Sequence, residues 1–266
     1  AGINLPALIT AKTAITGVLA SHLGAAISQA SENQKKEMVE AFAGPVFETL
    51  SEHGGLITDS DMIFDPEKAV ATVTIKGIVT TQFRRYGGGK RMELASLGSA
   101  NVTFDFDRSR MSWKTLPVDL GLAAHARQNI QVLLPLDEPG FKLGGRPDFA
   151  QSFADKTVTR NGKLEGQQLL VSEVQTSLGG ELPASDIPIE RAKVLRMKNL
   201  IPTLTSPITA ARAWRYQTPT LKTRLAPVEA AFAKAITRDN EANTALIARA
   251  RFRAGTYNLE GAIADY

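Results

Sequence analysis

The sequence predicts an α+β fold, with N-terminal amphipathic helices, a central antiparallel β-sheet with two hairpins and a helical C-terminal third. Three observations predict it. Between Ala69 and Trp113 the residues alternate with a period of two on both sides of the permissive turn Gly87-Gly88-Gly89. Residues 5 to 30, and again Pro227 to Arg253, place their apolar side chains at helical spacing instead. Gly179-Gly180 and the stretch Leu182-Pro183-Ala184-Ser185 mark the change from one period to the other. These breaks divide the chain into a helical segment at 1–55, a β-rich core at 56–182 and a basic helical region at 183–266.

At 266 residues and 43% hydrophobic, the chain can bury a sizeable core as one large domain or two modest ones. It has no cysteine, which excludes a disulfide framework, a thiolate metal site and a cysteine nucleophile. Three histidines and 6% aromatic residues leave few candidates for metal ligation or for base stacking. The net charge of +4 is uneven: from Asp186 onward there are 13 Lys/Arg against 7 Asp/Glu, leaving 18 against 20 before it. A basic C-terminal third suits an acidic partner, an anionic membrane surface or the acidic half of a neighbouring copy. No run approaches the roughly 18 uncharged apolar residues of a spanning helix. Ala1 to Pro6 carries no basic leader, so no cleavable signal peptide is expected there.

In chain order, Leu8, Ile15, Leu19 and Leu23 form the apolar stripe of a helix over residues 5 to 30, with Gly17 and Gly24 allowing another helix to approach. Ser31 to Gln34 fits a capping box that opens a second helix, and Pro45 to His53 reads as a short third one. Thr58 to Lys68 crowds Asp59, Asp61, Asp65 and Glu67 together. An EF-hand would need glycine and glutamate where Phe64 and Val70 stand, so the segment is expected to be a turn capped by its aspartates. In the central hairpin Val73, Ile75, Val79 and Phe83 share one face, answered by Val102, Phe104 and Phe106 on the return strand. Met111 and Trp113 suggest a third strand, and Ile130, Val132, Leu134 and Leu136 a fourth, before a Gly- and Pro-rich loop at 137–148. Asn161-Gly162 predicts a two-residue type I′ turn, because both positions accept positive φ, and hence a second hairpin with Leu169 and Val171 facing the sheet. Helices are then expected around Ile189 to Leu195, over Ala210 to Tyr216 and from Pro227 to Arg253, followed by a loosely ordered tail from Gly255 to Tyr266.

No catalytic signature is present. The glycines before Lys90 fail the Walker pattern at Arg91, and neither H-E-x-x-H nor G-x-S-x-G occurs. His22, His53 and His125 each lack a second candidate ligand nearby in sequence, so no metal and no cofactor is expected. Arg249, Arg251 and Arg253 alternate with Ala250, Phe252 and Ala254 as a candidate basic contact, with the scarcity of aromatics disfavouring nucleic acid. These features together suggest a non-enzymatic structural or assembly subunit, as in a virion or secreted machine, that forms homo-oligomers through Leu8, Ile15, Leu19 and Leu23. The competing expectation is a membrane-active or pore-forming protein that uses the same helix or the Thr-rich hairpin of Val73 to Phe83.

Overall fold

The computed structural model describes residues 5–48, 55–81, 83–86, 89–94, 110–134, 140–206, 218–238, 242–256 and 258–266. A high share of β-branched residues makes the first element a strand, β1 (Pro6–Thr16), and not the start of a helix. Ile9, Thr10, Thr13, Ile15 and Thr16 lose little side-chain freedom on a pleated surface and more in a helix. Gly17, at a φ of 87°, turns the chain into helix α1 (Val18–Gln29). The expected capping box then opens α2 (Glu32–Glu48): the Ser31 amide donates to Gln34 Oε1 at 2.8 Å, and the Gln34 amide donates back to Ser31 Oγ at 3.3 Å. Pro45 lies inside α2 and does not begin a new helix. Its ring is exposed, and the missing N–H costs that helix one hydrogen bond.

The segment expected to be an aspartate-rich turn is strand β2 (Leu56–Asp65). Asp65 caps the turn after it, accepting the amides of Glu67 and Lys68 at 3.1 Å each. Strand β3 (Val70–Thr80) follows and pairs antiparallel with β2 on one side and β1 on the other. The long central hairpin is therefore divided. At Thr81 the chain leaves this sheet, held by its hydroxyl to Leu5 O at 2.8 Å, and two short antiparallel strands of a second sheet follow, β4 (Arg84–Tyr86) and β5 (Gly89–Glu93). The expected return strand at 101–107 lies outside the described residues. Met111–Trp113 is a single exposed 3₁₀ turn and not a strand.

Beyond it come β6 (Val118–Asp119), β7 (Ala124–Leu133), β8 (Lys142–Gly145), β9 (Phe149–Phe153), β10 (Lys156–Glu165), β11 (Gln168–Ser177) and β12 (Glu181–Leu182). The second hairpin is β10–β11, but it turns at Gly166, at a φ of 57°, and runs straight through Asn161-Gly162. Gly162 serves a close approach: an added Cβ would lie 3.0 Å from Pro147 Cβ, and its amide donates to Asp148 Oδ1 at 2.9 Å. Tertiary contact overrides local turn preference here.

Helix α3 (Ile187–Lys198) starts where a helix was expected. Next comes a strand within the region expected to be helical, β13 (Pro202–Ser206), inserted between β5 and β8. The predicted helix at 210–216 lies outside the described residues. Helix α4 (Thr218–Arg238) begins well before Pro227, which it contains, and α5 (Ala242–Gly255) is a separate helix. The tail is ordered as α6 (Leu259–Asp265).

The larger sheet has the order β2-β3-β1-β7-β11-β10-β9, and the smaller one β4-β5-β13-β8. On one face of the larger sheet Ile9, Ala11, Val73, Ile75, Ile130, Val132, Leu169 and Val171 form a continuous core with Val39, Ala43 and Phe47 of α2 and with Met92 and Leu204 of the smaller sheet. Gly77 lets Phe47 lie against the strand, since an added Cβ would sit 2.5 Å from its Cζ and 2.6 Å from Leu56 O. On the opposite face Leu8, Leu56 and Ile78 pack under Val228 and Phe232 of α4, with Phe252 of α5 stacked on Phe232 at 5.5 Å. A third cluster joins Phe153 and Val158 to Val194 and Met197 of α3. Within the first face, Arg160 and Glu173 form a buried cross-strand ion pair at 3.1 Å, with the Arg160 guanidinium 4.7 Å from the Phe149 ring centre and donating to Leu200 O. Burial pushes the Arg160 pKa down, and Glu173 opposes that shift.

The core assignment predicts a contrast between two isoleucines on adjacent strands. Ile75 is 3% exposed and Ile63 is 55% exposed. Ile75→Asp buries an unpaired carboxylate and is expected to remove about 4 kcal/mol or more, while Ile63→Asp changes stability by about 0.5 kcal/mol or less. Urea denaturation of the two variants beside the wild type measures the difference.

Candidate interaction site

The residues singled out for oligomer or membrane contact do not share one surface. Leu8 and Ile15 are on β1, where Leu8 packs toward α4 and Ile15 is buried with Ala20 and Ala71. Leu23 packs against that second group, which leaves Leu19, at 37% exposed, beside Val18 as the outward part of the stripe. Gly24 accommodates a side chain and not a second helix, because an added Cβ would lie 2.5 Å from the Phe64 ring. Val73, Ile75, Val79 and Phe83 are all buried in the main core.

The basic triplet is divided as well. On α5, Arg249 and Arg253 are four residues apart and so lie on one face. Arg249 grips Asp265 through two bonds, Nη2 to Oδ1 at 2.6 Å and Nε to Oδ2 at 2.9 Å. Arg253 reaches the same carboxylate at 2.9 Å, the Gly261 carbonyl at 3.2 Å and Glu229 of α4 at 2.7 Å. Arg251 is exposed. Two of the three arginines therefore meet an acidic surface supplied by their own chain.

This network docks α6 on α5. Asn258 caps α6, accepting the Gly261 amide at 3.2 Å, and Ala262 is small enough to be buried beneath it. Hydrogen bonding to Arg249, with the field of both arginines, holds the Asp265 carboxyl below its ordinary pKa, and Glu229 holds the Arg253 guanidinium above its own. With the inner face fixed, Leu259, Ile263 and Tyr266 point outward at 60%, 75% and 76% exposed. The spacing of Leu259 and Ile263, beginning six residues after Arg253, was the available signal for this element.

A further open surface is polar. A cavity of about 750 Å³ lies along β2, the outer strand of the larger sheet, between α2 and α4, and is lined by Lys35, Lys36, Asp59, Asp61, Lys234 and Arg238. Arg238 donates to Ser60 Oγ at 2.8 Å, Lys76 pairs with Asp59 at 3.0 Å, and a bulge lies between Ile57 and Asp59. Bulges and charges of this kind protect a sheet edge from indiscriminate pairing. Among the described residues no three His, Asp or Glu side chains converge as a metal site, and His125 Nδ1 meets only Thr176 Oγ1, at 3.0 Å, among the hydrogen bonds described.

The Asp265 network generates a pH dependence. A carboxyl whose folded pKa is depressed adds stability that is complete above its unfolded pKa, near 3.9, and lost as pH falls through the folded value. The protection of amides in residues 258–266, taken relative to an unstructured chain at the same pH, is therefore expected to be full at neutral pH and to fall below about pH 4. Asp265→Asn should weaken the docking of α6 by about 2 kcal/mol at neutral pH and remove most of this acid response, measured by hydrogen exchange with mass spectrometry. Comparison with family models, with curated proteins and with solved structures finds no match to this chain.

Proposed function

We propose that this chain is a non-enzymatic assembly subunit that associates with a second copy of itself through the C-terminal helical hairpin. The observation that carries this reading is the outward face of α6. Ordering two arginines against one carboxylate restricts long, flexible side chains, yet the result is to hold Leu259, Ile263 and Tyr266 in water. Such an arrangement stabilises an apolar surface that covering by another chain would remove from solvent.

A two-fold contact suits a patch this small, because every residue counts twice. Burying a leucine or isoleucine is worth about 1.5–3 kcal/mol each. Set against the loss of rotational and translational freedom, that favours a dissociation constant of roughly micromolar order. The membrane-active reading rests on the stripe of Leu8, Ile15, Leu19 and Leu23, which is divided between β1 and α1. Its other proposed element, the Val73 to Phe83 strand, would have to leave a core in which it lies between β2 and β1.

Sedimentation velocity over about three decades of concentration tests the proposal. A mass that rises with concentration in the wild type and stays monomeric in Ile263→Asp, at an unchanged melting midpoint, is the expected result. A wild type that remains monomeric throughout defeats it. Flotation with neutral liposomes, abolished by Ile263→Asp, would transfer the face to the membrane reading.

A further inference from the structure

We propose that the cleft between α2, β2 and α4 binds a small amphipathic monoanion, a single-chain carboxylate whose head meets Arg238 and whose tail enters the apolar recess beside it. The inference starts from a donor without an acceptor. Arg238 ends α4, and its guanidinium reaches β2, where Nη2 donates to Ser60 Oγ at 2.8 Å. Its Nη1 is buried and has no hydrogen-bond partner among the described residues. A buried donor left unpaired costs about 1–3 kcal/mol, and more when it is charged, so an acceptor at this point is strongly favoured. Ser60 adds a second donor, because a hydroxyl that accepts from Arg238 keeps its own hydrogen.

Two cavities share this guanidinium. The larger, of about 750 Å³, is polar and includes Lys36 and Lys234 in its wall. The smaller, of about 300 Å³, shares Lys36 and Arg238 with it and is walled mainly by Ala43, Gly44, Phe47, Leu56, Ile57 and Ala235. Cations therefore stand where the polar cavity gives way to an apolar one. Gly44 widens the recess, since a Cβ built there meets nothing within 4 Å. A ligand that suits both cavities carries its charge at one end and hydrocarbon at the other.

The remaining charges limit the head to a single negative charge. Glu32 pairs with Lys35 at 3.0 Å and Asp59 with Lys76 at 3.0 Å. Hydrogen bonding to Lys76, with the field of Lys76 and Lys234, holds the Asp59 carboxyl below its ordinary pKa, so it stays charged at neutral pH. Asp61 and Glu40 add two more carboxylates to the walls, against Lys36 and Lys234, neither of which enters an ion pair among the described residues. A phosphate dianion or a nucleic-acid backbone would meet repulsion from these acids. A carboxylate takes the Arg238 and Ser60 donors in charge-assisted bonds and places no second charge among them. The site shares no residue with α6.

The test titrates the full-length chain with sodium octanoate by isothermal calorimetry. The expected result is saturable binding whose affinity rises about fourfold for each methylene added from butanoate to octanoate. Octanol, which lacks the charge, should bind about tenfold or more weakly, and Arg238→Met should weaken octanoate by a similar factor. Gly44→Leu, which fills the recess, should abolish octanoate binding, with the melting midpoint reporting whether the new side chain is tolerated before Pro45. If either variant fails to fold, the chain-length series and the octanol control decide the matter on the wild type alone. Absence of octanoate binding overturns the proposal and leaves Nη1 to water. Acetate or inorganic phosphate binding as tightly as octanoate overturns it in favour of a plain anion site. Octanol binding as tightly as octanoate, or octanoate binding undiminished in a folded Gly44→Leu, overturns it in favour of an apolar surface elsewhere.

Discussion

The fold depends on the hydrogen bonding of its first strand. All eleven residues of β1 pair with β3, and nine of them pair on the other side with β7. Neither neighbour follows β1 directly in sequence, so the sheet closes only when segments from well separated parts of the chain meet. The strand also lies between two packed layers for part of its length, with Ile9 and Ala11 toward α2 and the smaller sheet and Leu8 toward α4. A strand covered on both faces needs apolar residues in both registers, which erases the alternation that normally marks one.

That double burial explains how the sequence was misread at its start. Leu8, Ile15, Leu19 and Leu23 can be placed on one helical stripe, but Ile9, Thr10, Thr13 and Thr16 carry the β-branched signature of a strand that ends at Gly17. The period-two pattern of Val70 to Phe83 was legible, as were the capping box at Ser31 and the presence of a second hairpin within 157–177, though not its turn. Which strands pair was not. Alternation continues unbroken through Thr81 although the chain there passes from one sheet to the other, because both sheets share the same period. Asn161-Gly162 shows the converse, a strong local turn signal overruled by Pro147 and Asp148 arriving from another part of the chain.

The charged residues followed the same rule. The excess of arginine in the C-terminal third is a matter of counting, and counting found it, but the partner of Arg249 and Arg253 is Asp265, in a tail expected to be loosely ordered. Only the spacing of Asn258, Leu259, Ile263 and Asp265 distinguishes that tail from a loose end, and it becomes decisive once the arginines are known to face it. The apolar residues of α6 and the cations beside β2 are both invisible to motif searching, because what singles them out is the geometry of their neighbours.

The buried pair of Arg160 and Glu173 has a consequence for how the β10–β11 hairpin is copied faithfully at each folding event. A hairpin turning at Gly166 could slide by one or two positions at little expense in backbone bonding alone. Any such slide would part the buried guanidinium from its carboxylate, a fault more severe than the mismatch of two apolar side chains. The pair thus favours the observed alignment over its neighbours, because a shifted hairpin would carry an uncompensated interior charge.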